Sequence, residues 1–403
     1  MEMPDAQLVR EKLAQASTLL DQADVDLWLT FVAETSLLRD PALDLICPCS
    51  LTWLSALLVS RSGESLAIVG RYDAPNLERL GAYTQVQGYD QSLRPTLIET
   101  LRRLQPARLA LNFSRSDPAS DGLTHGLKLT LDEILAQAGI GPERVISAEK
   151  VLARLRGQKT AAEVELIRAA VHTTESLLAE VGRQLVPGRT ELELAAFLHQ
   201  RMAQQGVQPA WDLDGNPLVN TGPSDDAPGH ALPTERVIEH GHLVHFDFGV
   251  RREGFCADLQ RMWYVLAEGE QQPPNDVVRV WQGVRGALLA GAEALRPGAQ
   301  GWQVDQAARE HLLAQGLPEY LHAFGHHLGR AAHDGSTVLG PRWERYGRTP
   351  YGVIESGNVF AIELGAPVPG RGWVYLEENV LVTDHGLEWL SQPQEEMWLM
   401  PSG

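Results

Sequence analysis

Four acidic residues set among apolar neighbours, with a histidine cluster between them, are the groups of this chain best placed to do chemistry. One pattern occurs twice: Gly241-His-Leu-Val-His-Phe-Asp247-Phe-Gly-Val250 and Gly357-Asn-Val-Phe-Ala-Ile-Glu363-Leu-Gly-Ala366. Each copy buries a carboxylate in an apolar strand, where an unpaired ion is costly, and each is followed by a second acid on a return strand, Asp258 and Glu377. A hairpin turning between Arg252 and Glu253 sets Asp247 opposite Asp258, and one turning at Gly370 sets Glu363 opposite Glu377. Directly opposed Cβ atoms lie about 4.5–5.5 Å apart, and like charges in such pairs destabilise a sheet. An arrangement that costs stability and yet occurs twice implies a cation between the acids.

The histidines lie close to these acids in sequence. His322-Ala-Phe-Gly-His326-His327-Leu-Gly-Arg-Ala-Ala-His333 falls between the two hairpins, and His230 stands 17 residues before Asp247. Four carboxylates and one imidazole suit two hard or borderline divalent cations, Mn²⁺, Co²⁺ or Zn²⁺.

The elements that must position these groups also repeat. Thr160-Ala-Ala-Glu163 and Thr190-Glu-Leu-Glu193 are capping boxes that open two helices, separated by Pro187-Gly188 and closed near Gly206. About 110 residues later the order returns as a helix over 277–295, Pro297-Gly298, a helix over 304–315 and Gly316. A duplicated helix-helix-strand unit implies two halves around a shared centre, each contributing one acidic hairpin. Residues 1–150 read differently, as an α/β domain with strands at 25–31, 56–60, 66–70 and 109–113 and helices at 92–104 and 123–138. The expected organisation is therefore an α/β domain over 1–150 followed by an α+β domain over 151–403.

Composition narrows the function. A net charge of -18 argues against nucleic acid, which needs a basic face. No stretch approaches the roughly 20 apolar residues of a membrane span, and the polar amphipathic start at 1–20 lacks the apolar core of a signal peptide. Cys47, Cys49 and Cys256 supply neither a disulfide framework nor a structural zinc site, and read as inert thiols of a cytoplasmic protein.

Taken together, these residues resemble the pita-bread metallopeptidases: methionine aminopeptidase, prolidase, Xaa-Pro aminopeptidase and the metal-free creatinase. The resemblance spans roughly 147–400, with a creatinase-type N-terminal domain before it. The family's ligand order Asp, Asp, His, Glu, Glu carries over to Asp247, Asp258, His326, Glu363 and Glu377, and its Gly-His-x-x-Gly-x-x-x-His motif reads Gly325-His326-His-Leu-Gly329-Arg-Ala-Ala-His333. His230, His322 and His333 match the additional histidines of the proline-directed branch.

The resemblance implies a dinuclear exopeptidase that cuts an Xaa-Pro bond in dipeptides or at a peptide N-terminus, with manganese foremost and cobalt or zinc as alternatives. It further implies a homodimer acting on peptides, with Glu363 moving the water's proton, His333 and His322 stabilising the oxyanion, and His230 lining the proline side. Three departures stand out: Gln260 replaces the threonine of Asp-x-Thr-Arg, Tyr375 replaces an arginine, and Glu363-Leu-Gly replaces Glu-Pro-Gly. Arg342, Arg345 and Arg348 read as solvated loop charges or as a grip on a substrate carboxylate, and Trp211, Trp343 and Trp373 as packing residues. Other readings are an exopeptidase of different specificity, a hydrolase of a small amide or amidine such as creatine, and a non-catalytic binding member of the fold.

Overall fold

A computed structural model describes residues 6–223, 231–335 and 337–400. The chain divides into two units between Arg156 and Gly157, inside the Glu149–Gly157 helix.

In the first unit the apolar runs become a six-stranded sheet, ordered Gln85–Tyr89, Ser65–Gly70, Ser55–Ser60, Leu27–Val32, Leu109–Leu111 and Val145–Ser147. The first and last of these were not expected from the sequence. Gln85–Tyr89 is largely polar and exposed, and Val145–Ser147 is three residues long, so neither carries a strong alternating pattern. The expected helices are found at Arg94–Leu104 and His125–Ala138. Burial pushes the Cys47 thiol up to about 12, and the neighbouring Cys49 adds to the effect, which keeps it protonated and unreactive.

In the second unit both capping boxes form, opening Ala161–Gly182 at Thr160 and Glu191–Gln205 at Thr190. Their counterparts are Asn275–Ala294 and Gly301–Ala314. The latter starts three residues before the expected 304, because Gln300 and Gln303 make a reciprocal glutamine box that the Thr/Glu signature does not anticipate. The duplication extends to individual hydrogen bonds. Gly188 N–H donates to Ile238 O and Gly298 N–H to Ile354 O, each at 2.9 Å, and Ile238 and Ile354 return bonds to Arg189 and Ala299, each at 2.8 Å.

The central antiparallel path runs Val338–Leu339, Gly325–His327, Val359–Val368, Gly372–Thr383, Leu259–Val265, Leu243–Phe248 and Leu218–Thr221. Along Val359–Val368 the even-numbered Phe360, Ile362, Leu364, Ala366 and Val368 share a core with Val277, Val280, Val284 and Leu288 of the Asn275–Ala294 helix. Full burial of a side chain such as Phe360 contributes about 2–3 kcal/mol. This period of two turns Glu363 to the opposite face. Where the two halves meet, the Leu259–Val265 and Gly372–Thr383 strands share one registered pair among the described residues, Gln260 with Glu377. No described helix is long and apolar enough to cross a membrane.

Candidate metal centre

The glutamate hairpin has the expected register, with Glu363 directly opposite Glu377. The aspartate hairpin does not. Asp247 stands opposite Gln260, and Arg251 and Arg252 pair with Cys256 and Phe255, so the turn is centred on Glu253 and Gly254, one residue later than expected. Both turn residues have positive φ, 50° and 82°, the backbone of a tight two-residue hairpin. Asp258 is thus a diagonal neighbour of Asp247 on the same face, still within reach, and its backbone is clamped by Asn379 through bonds of 3.2 and 2.6 Å.

His326 completes the cluster. Among the described residues its Nδ1 partners are carbonyl oxygens, Ala332 O at 3.1 Å and His327 O at 3.3 Å, so Nδ1 carries the proton. The Nε2 lone pair then points at Asp258 Oδ2 and Glu363 Oε1, each at 3.9 Å, and Glu377 Oε1 at 3.7 Å. Ligand atoms of Asp258, His326 and Glu377 all lie within 4.8 Å of one another. Among the described residues, Glu377 Oε1 is buried without a hydrogen-bond partner. An imidazole lone pair aimed at acids, with one carboxylate oxygen orphaned, is repulsive unless a cation lies between them. Hard oxygen donors with one imidazole nitrogen fit a divalent ion.

Charge states point the same way. Burial, then the charge of Glu363, raises the Asp247 carboxyl to about 8. Burial raises Glu363 to about 7, and burial with neighbouring acids puts Asp258 and Glu377 well above the ordinary carboxylate range. Burial, then His333, pushes His326 down to about 3. Carboxyls raised in the folded state bind protons more tightly than in the unfolded chain. Their contribution to stability is full below the ordinary carboxylate range and is lost as pH rises toward about 8. In a chelator the melting temperature is therefore expected to fall between pH 5 and 8 relative to the Mn²⁺-loaded protein, as measured by differential scanning fluorimetry. A stabilisation by Mn²⁺ that does not grow over this window would contradict the clustering of charge.

The acids and His326 line a cavity of about 330 Å³, the lower end of the ligand-pocket range. His333 lines it too, its ring edge-on to His326 with centroids 4.2 Å apart. Trp211 forms part of the wall, contrary to the expectation of a packing role, because its loop folds back to bond Gly215 O at 2.6 Å. His322 is exposed and is not part of this wall, with its ring against Tyr320 at 5.5 Å. His230 lies outside the described residues. The loop arginines stack on aromatic rings: Arg342 lies over Trp302 at 4.3 Å, and Arg345 over Trp343 at 4.7 Å. Trp373 stacks on Tyr375 at 5.7 Å.

Two features support the site, the first of them beyond the reach of sequence reasoning. Lys159 Nζ and Asp334 Oδ2 form an ion pair at 2.9 Å with both side chains 1% exposed, tying the segment that carries His333 to the base of the first helix of this unit. A Cβ on Gly329 would sit 2.1 Å from Asp334 Oδ2, so the second glycine of the histidine motif is needed for close approach. The other feature is Gln260, whose Nε2 donates to Glu363 Oε2 at 2.8 Å and Glu377 Oε2 at 2.9 Å. Its position two residues after Asp258 was the available signal.

Comparison with known proteins places this geometry among peptidases. The family model for metallopeptidase family M24 matches residues 165–384. An uncharacterized peptidase of Bacillus subtilis is 26% identical over 326 residues, 79% of this chain and 84% of its own length. A protein named Xaa-Pro dipeptidase from Pyrococcus furiosus is 28% identical over 327 residues, 79% of this chain and 89% of its own. Among solved structures, a dipeptidase from Mycobacterium ulcerans superposes with a TM-score of 0.74 at 25% identity, covering 100% of both chains.

Proposed function

Since the chain belongs to metallopeptidase family M24 and has its pita-bread fold, we propose that it is an exopeptidase hydrolysing the bond between an N-terminal residue and proline, in dipeptides or at the start of longer peptides. Asp247, Asp258, His326, Glu363 and Glu377 hold two divalent cations in this reading, Mn²⁺ foremost. The observation that carries it is the buried convergence of carboxylates on the unprotonated Nε2 of His326, with His333 beside it on the cavity wall. The proline preference draws support from the relative named as an Xaa-Pro dipeptidase.

When bound, the cations supply Lewis acidity at the scissile carbonyl and lower the pKa of a water. The remaining steps fall to the protein. Glu363 has the most accessible side chain of the three acids around His326, 22% against 8% for Asp258 and 2% for Glu377, so its carboxylate takes the proton from the attacking water. It then delivers that proton to the leaving proline nitrogen. His333 donates a hydrogen bond to the carbonyl oxygen as charge develops there.

Assays of an Xaa-Pro dipeptide, an Xaa-Pro-Yaa tripeptide and a longer Xaa-Pro peptide, each with added Mn²⁺ and each against its alanine counterpart, test the assignment. Cleavage of a proline substrate well above its alanine counterpart is the expected result. Inactivity on all three rejects the proline reading, and equal cleavage of the alanine counterparts replaces it with a broader exopeptidase.

A further inference from the structure

Gln260 stands where the two hairpins cross, opposite Asp247 on one side and Glu377 on the other. Both hydrogens of its amide are used, one on Glu363 and one on Glu377. A carboxamide has an almost isosteric alternative, turned half a revolution about its last bond, which would aim its oxygen at both carboxylates. A threonine hydroxyl, which the family resemblance leads one to expect at this position, has no such alternative.

One contact separates the two orientations. Gln260 Oε1 lies 2.9 Å from Nε2 of His245, and a ring nitrogen bearing hydrogen satisfies that oxygen while opposing the turned amide. The other ring nitrogen, Nδ1, is 3.4 Å from Asn220 Oδ1, too long to compete. The His245 ring is held against Tyr375, with centroids 4.8 Å apart and planes inclined by 35°. His245 is itself only 4% exposed. The two departures at Gln260 and Tyr375 are therefore parts of one arrangement with His245 at its centre.

We propose that His245 is a positioning residue for the metal centre: by donating from Nε2 to Gln260 Oε1, it locks the carboxamide with both N–H groups on Glu363 and Glu377 and so holds two ligands in their binding orientation. His245 is not one of the five ligand residues. The inference rests on the metal-binding reading above.

Mn²⁺ binding to metal-stripped protein, followed by electron paramagnetic resonance of the free ion, tests it without recourse to activity. His245→Phe, which keeps the ring against Tyr375 but removes the donor, is expected to raise the dissociation constant about 10- to 100-fold. In a Gln260→Thr background the same substitution is expected to change it by no more than about twofold, because no amide remains to be oriented. An unchanged constant, or an equal loss in both backgrounds, overturns the inference. If the phenylalanine variant does not fold, His245→Gln and His245→Asn take its place. The longer amide reaches Gln260 and the shorter does not, so weaker binding by the asparagine variant supports the lock and equal binding overturns it. Failure of the unaltered protein to bind Mn²⁺ overturns the metal reading itself, whereas tight binding unaffected by His245→Phe overturns only the positioning role.

Discussion

Glu363→Gln is expected to lower kcat by about 10²–10⁴-fold, measured on an Xaa-Pro substrate at saturating Mn²⁺. The replacement keeps the shape of the side chain and an oxygen for the cation, but it cannot accept the water's proton. Glu363 Oε2 accepts from Gln260, while its other oxygen faces His326, so one oxygen is committed to orientation and one to chemistry. KM should change much less than kcat, because a proton acceptor acts in the transition state rather than on bound substrate. Asp258→Asn, by contrast, should act mainly through metal affinity, since that side chain is only 8% exposed, lines the cavity and is a ligand in the proposed function. Retention of near-normal kcat by the metal-loaded Glu363→Gln protein would remove Glu363 from the proton path.

Lys159→Met should have the largest effect on stability. It leaves Asp334 charged in a place 1% exposed, and breaking one partner of a buried pair costs about 3–5 kcal/mol. For a unit of this size that corresponds to a fall in melting temperature of roughly 10 °C. Replacing both partners, Lys159→Met with Asp334→Leu, should recover much of the loss, because two apolar groups of similar volume replace a pair whose desolvation was costly. Activity should not recover in parallel. The pair fixes the segment bearing His333, and a shift of about 1 Å in a group at the reacting centre can lower kcat/KM by up to about 10²-fold. Thermal melts and kinetics on the single and double variants separate the two contributions. A single variant that melts with the unaltered protein would show that the ion pair contributes little to stability.

How legible the site was in the sequence depended on how local the signals were. The capping boxes at Thr160 and Thr190 are fixed by neighbours a few residues away and the pairing of Glu363 with Glu377 by a single hairpin turn, and each is present in the structure. The aspartate register was misplaced by one residue at the turn. Gly254 was the visible clue, since a two-residue turn needs positive φ at both positions and glycine is preferred at the second. His245 occupied the unconstrained slot of the repeat, and only the fold brings it 2.9 Å from Gln260, 15 residues away. The Lys159–Asp334 pair joins positions 175 residues apart, a separation that periodicity and motif spacing do not register.

The narrow join between the two halves has a mechanical meaning. Along that seam the backbone contributes one registered pair among the described residues, Gln260 with Glu377, and side chains such as Asn379, which clamps the Asp258 backbone, do the rest of the joining. Asp247 and Asp258 lie on one side of the seam and Glu363 and Glu377 on the other. In the proposed function, ions gripped from both sides would act as rivets. In the function proposed here, the parts that perform hydrolysis also fasten the two halves together, and a variant that releases its metal loosens a structural joint along with its chemistry.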